Sequence, residues 1–136
     1  MIKISNNQFQ LNTQNTSYVM HNENGMLCHT YYGKRLPDVD HSYMAKRCRY
    51  NGDIQSNISD NLPTLDNALL EYPCFGEGGI TTPALEVLNA DGTNFVDLRV
   101  VDHCIHNGKP KIEGLPASYI EDGDNVQTLE IKTMDT

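Results

Sequence analysis

The chain has 136 residues, the length of one domain or of part of one, which excludes a multidomain machine. Lys and Arg number 10 against 18 Asp and Glu, a formal net charge of −8, so neither nucleic acid nor an anionic membrane is expected as a partner: both call for a basic surface. Hydrophobic residues at 38% allow a modest folded core, and charged residues at 21% fall short of a disordered polyelectrolyte.

No run approaches the ~20 apolar residues of a membrane helix. The opening MIKISNNQFQL has no apolar stretch for a signal peptide, so a cytoplasmic location is the expectation. Residues 9–13 and 17–21 are short polar, β-branched and aromatic runs that read as strands. Asn24-Gly25 then reverses the chain, because both residues tolerate positive φ, and residues 26–32 alternate with a period of two. A hairpin follows from that pattern. Residues 33–73 lose periodicity and carry Pro37, Asp38, Asp40, Asn51-Gly52-Asp53 and Pro63; within them only residues 41–49 could supply a couple of helical turns. A connection of that length is functional or packed against something beyond itself, a second subunit being one expectation.

Extended structure is expected again at residues 84–88 and 95–106. In the second run Val96, Leu98, Val100 and Cys104 share one parity and predict an apolar face. Residues 115–119 are expected to be extended, residues 121–124 to form an acidic loop, and residues 126–131 to alternate into a last strand. The pattern predicts an all-β chain with one long irregular connection and at most a short helix. Cys28, Cys48, Cys74 and Cys104 include no C-x-x-C pair, so reduced, buried thiols are expected, Cys104 among them.

His103-Cys104-Ile105-His106 and Cys28-His29 supply metal-ligand chemistry, but neighbours in a strand point to opposite faces and build no tetrahedral cage. Glu121, Asp122 and Asp124 lack the alternating ligand run of a calcium loop. No metal and no cofactor are expected. No G-x-S-x-G, P-loop or G-x-G-x-x-G occurs, and Gly76-Glu77-Gly78-Gly79 reads as a turn. Tyr31, Tyr32, Tyr72 and Phe75 could stack on sugar rings, although sheet packing is the simpler account in a chain without Trp.

Residues 15–37, NTSYVMHNENGMLCHTYYGKRLP, resemble the opening of family 36 α-galactosidases, where N-T-S-Y leads through a turn to Y-(Y/F)-G-K-(R/K)-(L/I). The similarity continues through LEYPCFGEGG and PALEV within residues 67–87, Asp97-Leu98-Arg99, GKPKIEGLPASYIED at 108–122 and QTLEI at 127–131. These matches run in order along nearly the whole chain. The resemblance implies an antiparallel β-sandwich, the first part of a galactose-mutarotase-like supersandwich. In that family the supersandwich precedes a (β/α)₈ barrel that carries the catalytic aspartates, one of them in a K-W-D-x-N motif that a chain without Trp cannot contain.

The family reading is therefore one non-catalytic domain spanning residues 1–136, not an enzyme by itself, acting in assembly and in shaping an active site. Its expected partners are further copies of itself or the remaining α-galactosidase domains, with an α-galactoside as ligand. Asp66, Glu71, Tyr72 and Thr81 are implied as substrate contacts only within an assembled enzyme. Gly79, Ile80 and Thr81 stand where the family usually has an Asp, an aromatic and an Arg, so the guanidinium that could grip a hydroxyl is missing. A free-standing carbohydrate-binding module and a remnant of a truncated gene are the alternatives.

Overall fold

The computed structural model describes residues 1–45, 68–75, 82–116, 119–120 and 125–136. Four strands, β1 (Ile2–Ser5), β2 (Gln8–Asn12), β3 (Thr16–Glu23) and β4 (Met26–Lys34), form an antiparallel meander in chain order. Asn24 and Gly25 adopt φ of 53° and 86°, the left-handed pair that matches the twist of a two-residue hairpin. Asn6, at φ 52°, reverses the chain between β1 and β2. The sequence reading did not anticipate β1. Its four residues are bracketed by a polar turn, and its alternating isoleucines are too few to show a period.

Register divides the sheet into two unlike faces. Ile4 pairs with Phe9 and Phe9 with Met20, so these apolar side chains share one face. Gln8 pairs with His21, Gln10 with Val19 and Asn12 with Ser17 on the other. Against the first face lies a ribbon of β5 (Leu98–Asn107) and β6 (Gln127–Asp135), paired antiparallel. The Phe9 ring meets the His103 ring edge-on at 5.2 Å, and Ile2 donates its N–H to Gln127 Oε1 at 2.9 Å. Val100 N–H reaches Gly25 O at 2.7 Å. The buried apolar set, Ile2, Phe9, Val19, Met20, Met26, Cys28 and Val96, is therefore small and centred on the meander.

The second face is covered by residues 36–41, the first described part of the long connection. Their groups satisfy a buried polar row. Gln8 Nε2 donates to Val39 O at 3.0 Å, Gln10 Nε2 to Pro37 O at 3.2 Å and Asn12 Nδ2 to Asp38 Oδ1 at 3.0 Å. Gln8 Oε1 accepts from the His41 backbone N–H at 2.7 Å, and Ser17 Oγ from the Leu36 N–H at 2.9 Å. Polar side chains stay buried there because nearly every donor finds an acceptor. A 3-10 turn at Ser42–Met44 follows, in place of two helical turns over 41–49, whose last four residues lie outside the described ones.

Three expectations need correction. Cys104 is exposed. A bulge between Val100 and Asp102 inserts Val101, so beyond it His103 and Ile105 continue the Val100 face, opposite Ile131 and Leu129, while Cys104 turns to the side of Glu130. A parity count cannot see that extra residue. Residues 84–88 form no strand: Leu85 makes one isolated parallel bridge to Cys74. Leu115 sits in a bend and is exposed, so the extended reading of residues 115–119 fails where it is described; Ala117 and Ser118 lie outside the described residues. The acidic loop 121–124, Gly76–Gly79 and Cys48 also lie outside them. Cys28, Cys74 and Cys104 are in no disulfide; Cys28 is buried as expected, and Cys74 only half-buried. Among the described residues no helix is long and apolar enough to cross a membrane.

Candidate functional site

Leu69 to Glu71 is added to the edge of β4. His29 N–H donates to Leu69 O at 2.6 Å, Glu71 N–H donates to Leu27 O at 2.9 Å, and Cys28 faces Leu70 across an antiparallel bridge. This short augmentation fixes the Glu71 backbone and delivers its carboxylate to two ring-bearing residues of the hairpin. One oxygen, Oε2, accepts a short hydrogen bond from the Tyr18 hydroxyl. The other, Oε1, lies 2.8 Å from His29 Nδ1. The Tyr18 ring is tilted against His29 at 5.4 Å and meets Tyr32 edge-on at 5.9 Å.

Burial, then the bond to Glu71 and its charge, push the Tyr18 hydroxyl well above the usual phenol range. Tyr18 therefore remains a proton donor at every physiological pH. Both oxygens of Glu71 are engaged, which makes the residue a clamp between the added segment and the β3–β4 hairpin.

Beside the clamp, His29, Tyr31, Tyr32, Tyr43 and Leu69 line an open groove of about 560 Å³. Tyr32 and Tyr43 are exposed, and among the described residues no Asp or Glu lines the groove. On the other side, half-exposed Tyr72 borders a cavity of about 40 Å³ shared with Met26, Cys74, Val96 and Leu98, too small for a sugar against the roughly 300–1,000 Å³ of small-molecule sites. Burial, with Asp135 and Asp97 nearby, pushes the Cys74 thiol up, so it is a poor nucleophile.

Of the four implied substrate contacts, Glu71 ends the added segment and Tyr72 follows it, while Asp66 and Thr81 lie outside the described residues. The sequence reading missed Tyr18 and His29 as partners of Glu71. A regular hairpin built from Glu23 opposite Met26 would set Tyr18 opposite Tyr31, but a bulge between Val19 and Met20 sets it opposite Tyr32. His103, His106 and His29 each meet different partners: the Phe9 ring, Glu130 at 2.8 Å and Glu71. Among the described residues no three His, Cys, Asp or Glu side chains converge as a metal site would need.

The family model described as "Glycosyl hydrolase family 36 N-terminal domain" matches residues 25–136. The chain is 38% identical over 125 residues, 91% of its length, to alpha-galactosidase AgaA of Geobacillus stearothermophilus, and spans 17% of that protein. To alpha-galactosidase Mel36A of Lactobacillus acidophilus it is 31% identical over 133 residues, 96% of this chain and 18% of the relative. The crystal structure of a variant of the Geobacillus enzyme in complex with raffinose superposes with a TM-score of 0.80 at 36% identity, over 94% of this chain and 18% of that one. The chain thus spans less than a fifth of the length of the curated relatives it matches.

Proposed function

Because the chain belongs to the glycosyl hydrolase family 36 N-terminal domain family, we propose that it acts as the non-catalytic β-domain of an α-galactosidase. In this reading residues 1–136 form one domain that supports assembly and shapes an active site whose catalytic groups come from elsewhere in such an enzyme. One observation carries it. Glycoside hydrolysis by the usual route needs two carboxyl groups flanking the scissile bond, whereas Glu71, the carboxylate beside the groove among the described residues, has both oxygens committed to Tyr18 and His29. The partners are further copies of the chain or the remaining α-galactosidase domains, and the substrate class of the assembled enzyme is terminal α-galactosides. The three described cysteines, none in a disulfide, fit the reducing cytoplasm. An aryl α-galactoside assay of the purified chain is the test: no turnover above a heat-killed control is expected, and measurable turnover overturns the non-catalytic role.

The groove supports a second reading, carbohydrate binding by the isolated domain. Exposed Tyr32 and Tyr43 present ring faces and edges to a pocket of ligand size. Calorimetric titration with raffinose separates the two. Saturable micromolar binding that disappears in Tyr32→Ala establishes a binding module; no heat of binding removes it.

A further inference from the structure

Residues 36–41 lie as a strap across the Gln8, Gln10 and Asn12 row, and two buried histidines sit at its far end. His21 on β3 is 5% exposed and His41 on the strap 1%. His21 Nδ1 is 2.8 Å from Thr30 Oγ1, but its Nε2 is buried with no hydrogen-bond partner, Asp40 Oδ1 standing 3.9 Å away. His41 donates from its backbone N–H to Gln8 Oε1 and from Nε2 to Pro37 O at 2.9 Å, which leaves its Nδ1 buried and unpartnered. Nitrogens of this kind are ordinarily satisfied in native interiors. The His21 nitrogen belongs to a ring that can take up a proton in mildly acidic solution.

We propose that the strap is a pH-operated latch, closed over neutral His21 and released from the β2 amide row when this ring is protonated. A proton on His21 Nε2 would create a cation in a buried site with no acceptor at hydrogen-bonding distance, the exposed Asp40 carboxylate standing 3.9 Å away, and a buried charge without a hydrogen bond is costly. The groups that act on this ring come from each neighbouring element: Glu23 from its own strand, the neutral Thr30 hydroxyl from β4, the Gln8 amide from β2, and Asp40 and His41 from the strap. Asp40 is not free to close the gap without cost, since its carboxylate accepts from the Ser42 N–H at 2.8 Å and the Ser42 hydroxyl at 3.2 Å. Burial is the largest influence on His21 and lowers its pKa from the ordinary value; Asp40 and Glu23 pull it up and His41 pulls it down.

The sign follows from linkage. With the strap open, His21 takes its proton near pH ~6.5; with it closed, protonation waits for lower pH. In that window the open form binds more protons, so closure is strongest above pH ~6.5 and weakens as pH falls. The backbone ladder of β1–β4 holds no titrating group and stays paired while the strap leaves.

Amide hydrogen exchange of the 136-residue chain at pH 7.5 and 5.0, each rate referenced to unstructured peptide at the same pH, is the test. Protection at Leu36 and His41 is expected to fall about tenfold at the lower pH, while Gln10 and Val19 in the sheet lose less than about twofold. His21→Gln should abolish most of that fall. Equal strap protection at both pH values overturns the latch, as does a loss shared equally by strap and sheet, or a fall in His21→Gln as large as in the parent chain. Should that variant not fold, Asp40→Asn on the exposed side chain serves instead. Removing a charge that steadies the protonated ring in the closed form should move strap release to higher pH, and an unmoved or lowered midpoint overturns the proposal.

Discussion

Glu71 shows how one side chain can tie distant parts of the sequence together: its carboxylate joins Tyr18 and His29 to a segment more than forty positions later in the chain. A hydrogen bond to a charged, part-buried group is worth about 1.5–3 kcal/mol. Tyr18→Phe should lower the unfolding free energy by that amount in urea titration, and Tyr18→Phe with Glu71→Gln should cost less than the sum of the two single changes. Strict additivity would show that the two residues do not act as a pair. The cysteines give a second check at this scale. Cys104 is exposed and Cys28 is buried, so a native-state thiol titration should modify Cys104 rapidly and Cys28 only after unfolding. The fast phase should lose one thiol equivalent in Cys104→Ser.

At the scale of elements, the hairpin turn and the inter-sheet contact should dominate the response to mutation. Gly25 sits at φ 86°, and a Cβ built there would stand 3.0–3.1 Å from the Arg99 side chain. Gly25→Ala should therefore cost about 1–2 kcal/mol from backbone conformation alone, with crowding against β5 added, read as a drop in Tm. Phe9→Ala, which empties the contact between the meander and the ribbon, should cost about 3–5 kcal/mol. The turn at Asn24-Gly25, the flanking strands and the last strand were all legible, because turn chemistry and a period of two are local signals. Bulges at Val19/Met20 and near Val101 were not, since an inserted residue leaves the composition unchanged and only shifts which side chains share a face. That shift hid both the exposure of Cys104 and the pairing of Tyr18 with Tyr32. The polar row of Gln8, Gln10 and Asn12 was equally hidden: an alternation with amides on one side reads as a solvated face until a strap is seen to cover it.

At the scale of the whole molecule, what matters is the surface left after the meander has been covered on both faces. Among the described residues the ribbon has few partners of its own. Its described residues leave Val101, Ile105 and Met134 exposed, and Phe95 and Leu88 add exposed apolar area before β5. Removing such area from water is worth roughly 25 cal/mol per Å², so a second copy covering it would gain several kcal/mol for a few hundred Å², and a two-fold axis would close the assembly. The net charge of −8 on each copy works against this. Those charges repel over a distance that shrinks from about 30 Å at 0.01 M salt to about 10 Å at 0.1 M, whereas apolar contact is not screened. Self-association should therefore strengthen with salt. Sedimentation equilibrium at micromolar concentration is expected to show dimer or higher species at 0.15 M NaCl and a greater share of monomer at 0.01 M. A monomer at both salt concentrations, across a hundredfold range of protein, would show that the exposed ribbon does not pair with itself and would remove the homo-oligomer from the proposed partners.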